Sequence, residues 1–337
     1  MFRIGKKKME KMQRTFGTMG TLGKITLLLA ALDASAQTGY PEKPVRVVAP
    51  FPAGSGADIS ARIVTQKLGE LWGKPVVVEN VPGAAGSVGA ERVAKSAPDG
   101  YTLLFSGDAA MTTNVSVYSK LAYDPLRDFA PIMNFVETPN VLIVHPSLPV
   151  KNVKELVALA KSRPGEITYA SSGSGTSQHL GGALLGNRAG IDLSHVPYKD
   201  AAVAMSDIIG GRVTMFFGNT LFAMPQVRAG KVRAIAVSSL KRIPVVPELP
   251  TVAESGYPGF SAVAWFGLLA PSGTPAAVLT KLQQDAARVI AMPDVRNKYT
   301  ENGGIVVGNT PAEFAAQIKA EIVSKGDLVR ASGAKVN

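Results

Sequence analysis

The sequence contains no cysteine. Disulfide frameworks, zinc–thiolate centres, thiol nucleophiles and a lipidated N-terminal cysteine are excluded together. Histidine is nearly as scarce. His145, His179 and His195 are the whole supply, and no two stand at metal-ligand spacing. Aromatic residues make up 7% of the chain, which leaves few stacking surfaces for nucleic acid. No run of about 20 apolar residues exists to span a bilayer. No glycine turn is followed by the Gly-Lys-Ser/Thr of a P-loop, and no Gly-x-Ser-x-Gly elbow occurs.

What is present begins with a targeting pattern. Arg3, Lys6, Lys7, Lys8, Lys11, Arg14 and Lys24 form a basic region. The short apolar run Ile25–Leu32 follows, and then the small-x-small triplet Ala34-Ser35-Ala36. Residues 1–36 therefore read as a signal peptide cleaved near Ala36, and the mature protein is expected in the periplasm. That segment holds seven basic and two acidic residues, so the formal charge of +11 falls by five to +6. The remaining positive field favours anionic ligands and is weak support for nucleic acid, which is not expected as a partner.

The mature chain alternates short apolar strands with helical periodicity, the pattern of an α/β protein. Strands are expected at 45–50, 76–79 and 102–106, with a helix at 57–71 between the first two. The same rhythm restarts with strands at 141–145, 167–170, 194–197, 213–217 and 233–237. Helices are expected at 153–162, 177–185 and 201–209. A proline-rich stretch, 243–250, interrupts the pattern before a strand at 263–270 and two long helices at 275–291 and 311–329. Two sheet-building runs imply two lobes. The tail helices lack a complete sheet of their own and are expected on the first lobe. The expected division is lobe 1 at 37–139 plus 258–337 and lobe 2 at 140–257.

The chemistry is expected in two glycine-rich turns, each leading from a parallel strand into a helix. The first is Phe51-Pro52-Ala53-Gly54-Ser55-Gly56-Ala57-Asp58; the second is Ser171-Ser172-Gly173-Ser174-Gly175-Thr176-Ser177. Glycine permits a tight turn and close approach to a ligand. The helix that follows offers unpaired N–H groups and a partial positive charge to an anion. Ser55, Ser174 and Thr176 add hydroxyls. One such turn is explained by capping alone; two, one per lobe, point to a shared carboxylate beyond the strand ends. A dinucleotide fingerprint is broken because Ile59 stands where the third glycine belongs. Asp58 can cap the first helix or accept from a ligand amine or hydroxyl. His179 can line the cleft or pack. A Ser174–His179 nucleophile–base pair would make the protein an exported serine hydrolase, but no acid is recognisably placed to orient the histidine. Trp265 is expected in the core.

These residues also carry a resemblance. Tyr40-Pro41-Glu42-Lys43-Pro44-Val45-Arg46 opens it, and Pro50–Gly56 follows with Asp58, Ala61 and Arg62. Glu79–Gly86, Pro98–Thr102, the 172–179 loop and His195-Val196-Pro197-Tyr198-Lys199 continue it. Leu249–Val252 with Glu254 and Gly256, and Ala270–Pro275, complete it. Over nearly its whole mature length the chain resembles the Bug family, the periplasmic receptors related to those of tripartite tricarboxylate transporters. The resemblance implies a two-lobed, type II-like periplasmic binding protein with a hinge and an inter-lobe ligand cleft. It implies a small carboxylate ligand (dicarboxylate, amino acid or aromatic acid), no catalysis, no cofactor or metal, membrane transporter subunits or a sensor as partners, and a monomer. By position it assigns Phe51, Ala53, Gly54, Ser55, Asp58, Ser172, Gly173, Ser174, Gly175, Thr176 and His179 to ligand binding, joined by Ser106, Gly107, Tyr198, Asn219 and Thr220. Two departures bear on the ligand. Asp200 replaces the family's usual glycine and would repel an anion or accept an amine. Thr214 stands where Asp or Asn is usual and would remove a polar anchor.

Overall fold

A computed structural model describes residues 39–332. The signal-peptide assignment lies outside them. The chain divides into residues 1–42, whose described part holds no helix or strand, and residues 43–337, which carry every element below.

The first strand, β1 (Val45–Ala49), leads into α1 (Gly56–Trp72) and returns through β2 (Val76–Asn80), pairing in parallel with β1. Helix α1 forms because Ala57, Ala61, Val64 and Leu68 recur on one face, all buried. Ser55 caps its start, and Gly73 at φ 61° ends it in the left-handed region. Helix α2 (Ser87–Ala94) and β3 (Thr102–Gly107) follow, β3 lying parallel to β1. After β3 the chain makes a π-helical turn at Ala109–Thr113 and a single α-turn, α3 (Asn114–Val117), neither expected from the sequence.

The largest difference from expectation is β4. A strand was expected only at 141–145, whereas β4 runs from Phe129 to Val144. Pro131 and Pro139 disguise its first part, since proline cannot donate to a ladder. The sheet accommodates them: the register shifts between Pro131 and Met133, and Pro139 is the last residue paired with β9 (Val263–Pro271) before β4 changes partner. From Asn140 onward β4 pairs with β7 (Met215–Asn219) and, from Val141, with β8 (Arg233–Val237).

The second half of the sheet is built from the expected units. They are α4 (Val153–Ser162), β5 (Ile167–Ser171), α5 (Ser177–Ala189), β6 (Leu193–Pro197), α6 (Ala201–Ile209) and β7, joined by α7 (Thr220–Arg228), which was not expected. Strand order is β2-β1-β3-β9-β4-β7-β5-β6, with β8 and the two-residue β10 (Ile305–Val306) also pairing β4. The result is a two-lobed α/β fold whose halves share β4. One hydrophobic core, around Leu104, Met111, Trp265 and Phe314, belongs to the first half. Two others lie on opposite faces of the second, one around Leu142, Tyr169 and Phe217 and the other around Ile143, Ile208 and Phe216.

Helices α8 (Ala276–Ala291), α9 (Pro293–Thr300) and α10 (Pro311–Ser332) close the chain; α9 was not expected. As expected, α10 packs on the first half through Phe314 and Ile318, and Trp265 is core: 2% exposed, edge-on to Phe314, with its Nε1–H donating to Glu321 at 2.8 Å. The far end of α10 meets the second half, where Val329 packs on Leu180 of α5. Replacing Phe314 with alanine removes the central contact of α10 and is expected to cost about 3–5 kcal/mol. Urea unfolding checks this, with the exposed Lys319→Ala on the same helix expected to be close to neutral.

Candidate functional site

The first glycine turn is fixed by a reciprocal cap. Ser55 Oγ accepts from the Asp58 N–H at 3.3 Å, and Asp58 Oδ2 accepts from the Gly54 N–H at 2.8 Å. Gly54 sits at φ 78°, which explains the glycine. Asp58 also accepts from Arg62 Nε at 3.0 Å and from Asn80 Nδ2 at 2.9 Å. Burial alone would raise its pKa, but the bonds from Arg62, Gly54 and Asn80 outweigh that and hold the carboxyl below the usual range. Its carboxylate is thus committed to the loop's own structure.

The second turn repeats the design. Gly173 (φ 122°) and Gly175 (φ 88°) form the turn, and Thr176 caps α5 by accepting from the His179 N–H at 3.4 Å while donating to the Gly173 carbonyl at 2.8 Å. Gln178 reaches back to accept from the Ser172 N–H at 2.7 Å. His179 Nδ1 accepts from the Gly175 N–H at 3.1 Å. That bond requires an unprotonated Nδ1, which places the ring proton on Nε2. The ring lies parallel to His195, centroids 4.1 Å apart, and His195 lies against Tyr169 at 4.9 Å. Burial brings both imidazole pKa values down to about 4, and for His195 the neighbouring His179 adds to it. His179 therefore supports the loop from behind as a neutral acceptor.

The two turns face each other across a cavity of about 50 Å³. Four helix N-termini converge on it. Gly56 and Ala57 open α1, Ser177 and Gln178 open α5, Ala201 opens α6, and Asn219 caps α7. The opening N–H groups of a helix have no intrahelical acceptor, and each N-terminus carries partial positive charge. Phe51, Phe222, Phe266 and Ala264 supply apolar wall. No lysine or arginine lines the cavity among the described residues, and its sole ionisable side chain is Asp108. Asp108 Oδ2 accepts from Lys325 Nζ of α10 at 3.2 Å. Burial would lower the Lys325 pKa, but Asp108 and Glu321 outweigh it and raise it. Strands and loops approach tightly here. A Cβ on Gly107 would lie 2.8 Å from the Trp265 carbonyl, and one on Gly56 would lie 2.6 Å from Asn219 Oδ1. Both positions therefore need glycine.

Of the residues expected to bind ligand, the structure brings Phe51, Ser55, Gly107, Ser172, Thr176 and Asn219 to the cavity wall. The others stand back from it. Ala53 and Gly54 lie at the exposed tip of their turn, Gly173 and Ser174 form the half-buried outer part of theirs, and Gly175 is buried against Asn114. Asp58 and His179 are the loop supports just described. Ser106 is fully buried one residue before the wall, and Thr220 Oγ1 donates to the Gly303 carbonyl at 3.3 Å. The Tyr198 hydroxyl donates to Asp207 at 2.6 Å along α6.

The two departures are also reassigned. Asp200 caps α6, accepting from the Ala202 N–H at 2.7 Å. Thr214 pairs with Thr168 (Oγ1–Oγ1 3.2 Å) just before β7 and near the start of β5, the end away from the cavity. It anchors strands. Of the other wall residues, Gly56, Ala57, Ser177 and Gln178 lie within the two expected turns and the helix starts they feed, and the cap at Asp200 marks Ala201 as a helix start; no local pattern marks Asp108, Ala109, Phe222, Ala264 or Phe266. Among the described residues no cluster could hold a metal ion.

Comparison with known proteins gives a consistent picture. The family described as Tripartite tricarboxylate transporter family receptor matches residues 60–333. The structure of the periplasmic binding protein BugD is similar with a TM-score of 0.84 and 37% identity, covering 88% of this chain and 99% of that one. Rpa4515 of R. palustris, solved with adipate, gives 0.86 and 34%, covering 88% and 100%. MatC of Rhodopseudomonas palustris, solved with bound malate, gives 0.82 and 33%, covering 86% and 100%.

The buried imidazoles predict an acid sensitivity. A histidine with a depressed native pKa binds fewer protons folded than unfolded, so stability is full above about 6.5, its unfolded value, and is lost as pH falls towards about 4. Urea midpoints between pH 7.5 and 4.5 measure this. In His179→Gln the acid-side decline is expected to be shallower than in the parent, so the two curves converge at low pH.

Proposed function

The chain belongs to the tripartite tricarboxylate transporter receptor family, and from that premise we propose that it is an exported periplasmic receptor whose lobes close on a small carboxylate without turning it over. The observation that carries this reading is the convergence of four helix N-termini on one cavity that no cationic side chain lines. Such a site holds an anion by N–H groups and hydroxyls, with charge supplied by helix dipoles. The relatives solved with adipate and malate bind acids of the same class, which supports a ligand of comparable size.

Residues 37–139 with 258–337 form one lobe in this reading, and 140–257 the other. The exchange of partners along β4 at Pro139/Asn140, and the entry into β9 at Val263, support those boundaries. Closure is a hinge motion at these crossings. The ligand-bound form, a monomer, then docks on membrane transporter subunits or a sensor. The hydrolase alternative finds no support in the second turn. His179 Nδ1 is occupied by the Gly175 N–H, and no hydrogen bond joins Ser174 to His179 among the described residues.

Ser177→Asp tests the site. Aspartate at a first helical position favours the helix and can still accept from Asn140 Nδ2, as Ser177 Oγ does at 3.1 Å, so folding is retained. It also places a carboxylate where the ligand's must lie. In a thermal-shift screen of residues 37–337 against organic acids, the parent is expected to gain about 2.7 kcal/mol of stability at 100 times Kd. The variant is expected to melt normally alone and to gain nothing. An equal ligand shift in both proteins would remove the helix N-termini from the binding site.

A further inference from the structure

Asp108 is out of place in a pocket built for an anion. It is 3% exposed and lines the cavity beside Gly107 and Ala109. Its Oδ2 is taken by Lys325, while its Oδ1 accepts no hydrogen bond among the described residues. An acceptor oxygen at a cavity wall with no donor from the protein can take one from a ligand. Lys325 does not neutralise the surroundings either. Its ammonium also donates to the Val263 carbonyl at 3.2 Å, and it lies in the field of two further carboxylates, Glu321 and Glu137. Asp108 is the one acid among the described residues that line the cavity, and the helix N-termini that share the wall carry partial positive charge.

This polarity separates ligand classes. A plain diacid fits one carboxylate to the helix N-termini and brings the other towards Asp108, where like charges repel at low dielectric. An acid that carries an ammonium group fits both ends. We infer that Asp108 is the specificity-determining residue of the cleft, and that it selects a zwitterionic amino acid over an unsubstituted dicarboxylate by accepting a hydrogen bond from the ligand's ammonium group. The inference rests on the carboxylate-receptor reading above and narrows it.

Succinate, malate and aspartate form the test, since they share a diacid frame and differ in one substituent: hydrogen, hydroxyl or ammonium. Calorimetric titration of the parent is expected to give aspartate at least tenfold tighter binding than succinate. Glutarate, 2-hydroxyglutarate and glutamate repeat the comparison one methylene longer. Asp108→Asn is expected to erase the preference, chiefly by weakening the amino member. Because Asp108→Asn leaves Lys325 unpaired, the double change Asp108→Asn with Lys325→Gln is titrated alongside, and is expected to show the same loss. Succinate or glutarate binding the parent as tightly as its amino counterpart would overturn the inference and leave the receptor reading standing. A preference for the hydroxyl member alone would also overturn it, as would a preference unchanged in both variants. Failure of all six acids to bind the parent would remove the carboxylate reading itself.

Discussion

The fold depends on one hydrogen-bonded crossing, where β4 leaves its pairing with β9 and takes up β7 and β8. Asn140 stands at that point. Its N–H donates to Ser238 Oγ at 2.8 Å, its carbonyl accepts from the Ser238 N–H at 2.8 Å, and its Nδ2 donates to the Ala262 carbonyl at 2.8 Å. Ser238 Oγ in turn donates to the same Ala262 carbonyl at 2.7 Å. Three separate chain segments are thereby held together in a buried region, where Asn140 Oδ1 is the one side-chain atom of this network left without a partner among the described residues. The side chain of Asn140 also bonds Ser177 Oγ at the start of α5, so the crossing is tied directly to the ligand turn. These side-chain bonds fix which residues meet and so hold the register of the crossing.

From that crossing the rest of the site follows. Strands on either side of it deliver their C-terminal ends, and so their helix N-termini, to one cavity. The two turns are each stiffened by their own side chains: Asp58 with Arg62 and Asn80 in one, Gln178 and His179 in the other. None of these need touch a ligand. They hold N–H groups in place, which lowers the cost of ordering on binding. Cationic side chains are kept at a distance, with Lys325 meeting the cavity wall only through Asp108.

The sequence was legible wherever structure is local. Helix starts at Ser55, Thr176 and Asp200, the stop at Gly73, and the strands feeding both turns follow from capping and periodicity within a few residues. The first part of β4 was not legible, because Pro131 and Pro139 argue locally against a strand and only the register shift beside β9 reconciles them. Site residues divided in the same way. Ser55 and Thr176 sit at the starts of expected helices, Asn219 entered only through the resemblance because the helix it caps was not expected, and Asp108 precedes a π-helical turn that no local pattern announces.

By itself, then, the sequence determined the α/β class, the two glycine-rich turns that lead into helices and the absence of thiol chemistry, because each rests on residue types and short spacings. Tertiary structure alone decided which of those residues line the cavity. Asp58 and His179 look like ligand groups in the chain and become loop supports in the fold, since their partners, Asn80 in one case and the His195 ring in the other, arrive from distant strands. Asp108 looks like nothing in the chain and becomes the cavity's one charged side chain, because α10, more than 200 residues later, brings Lys325 to one of its oxygens and leaves the other free.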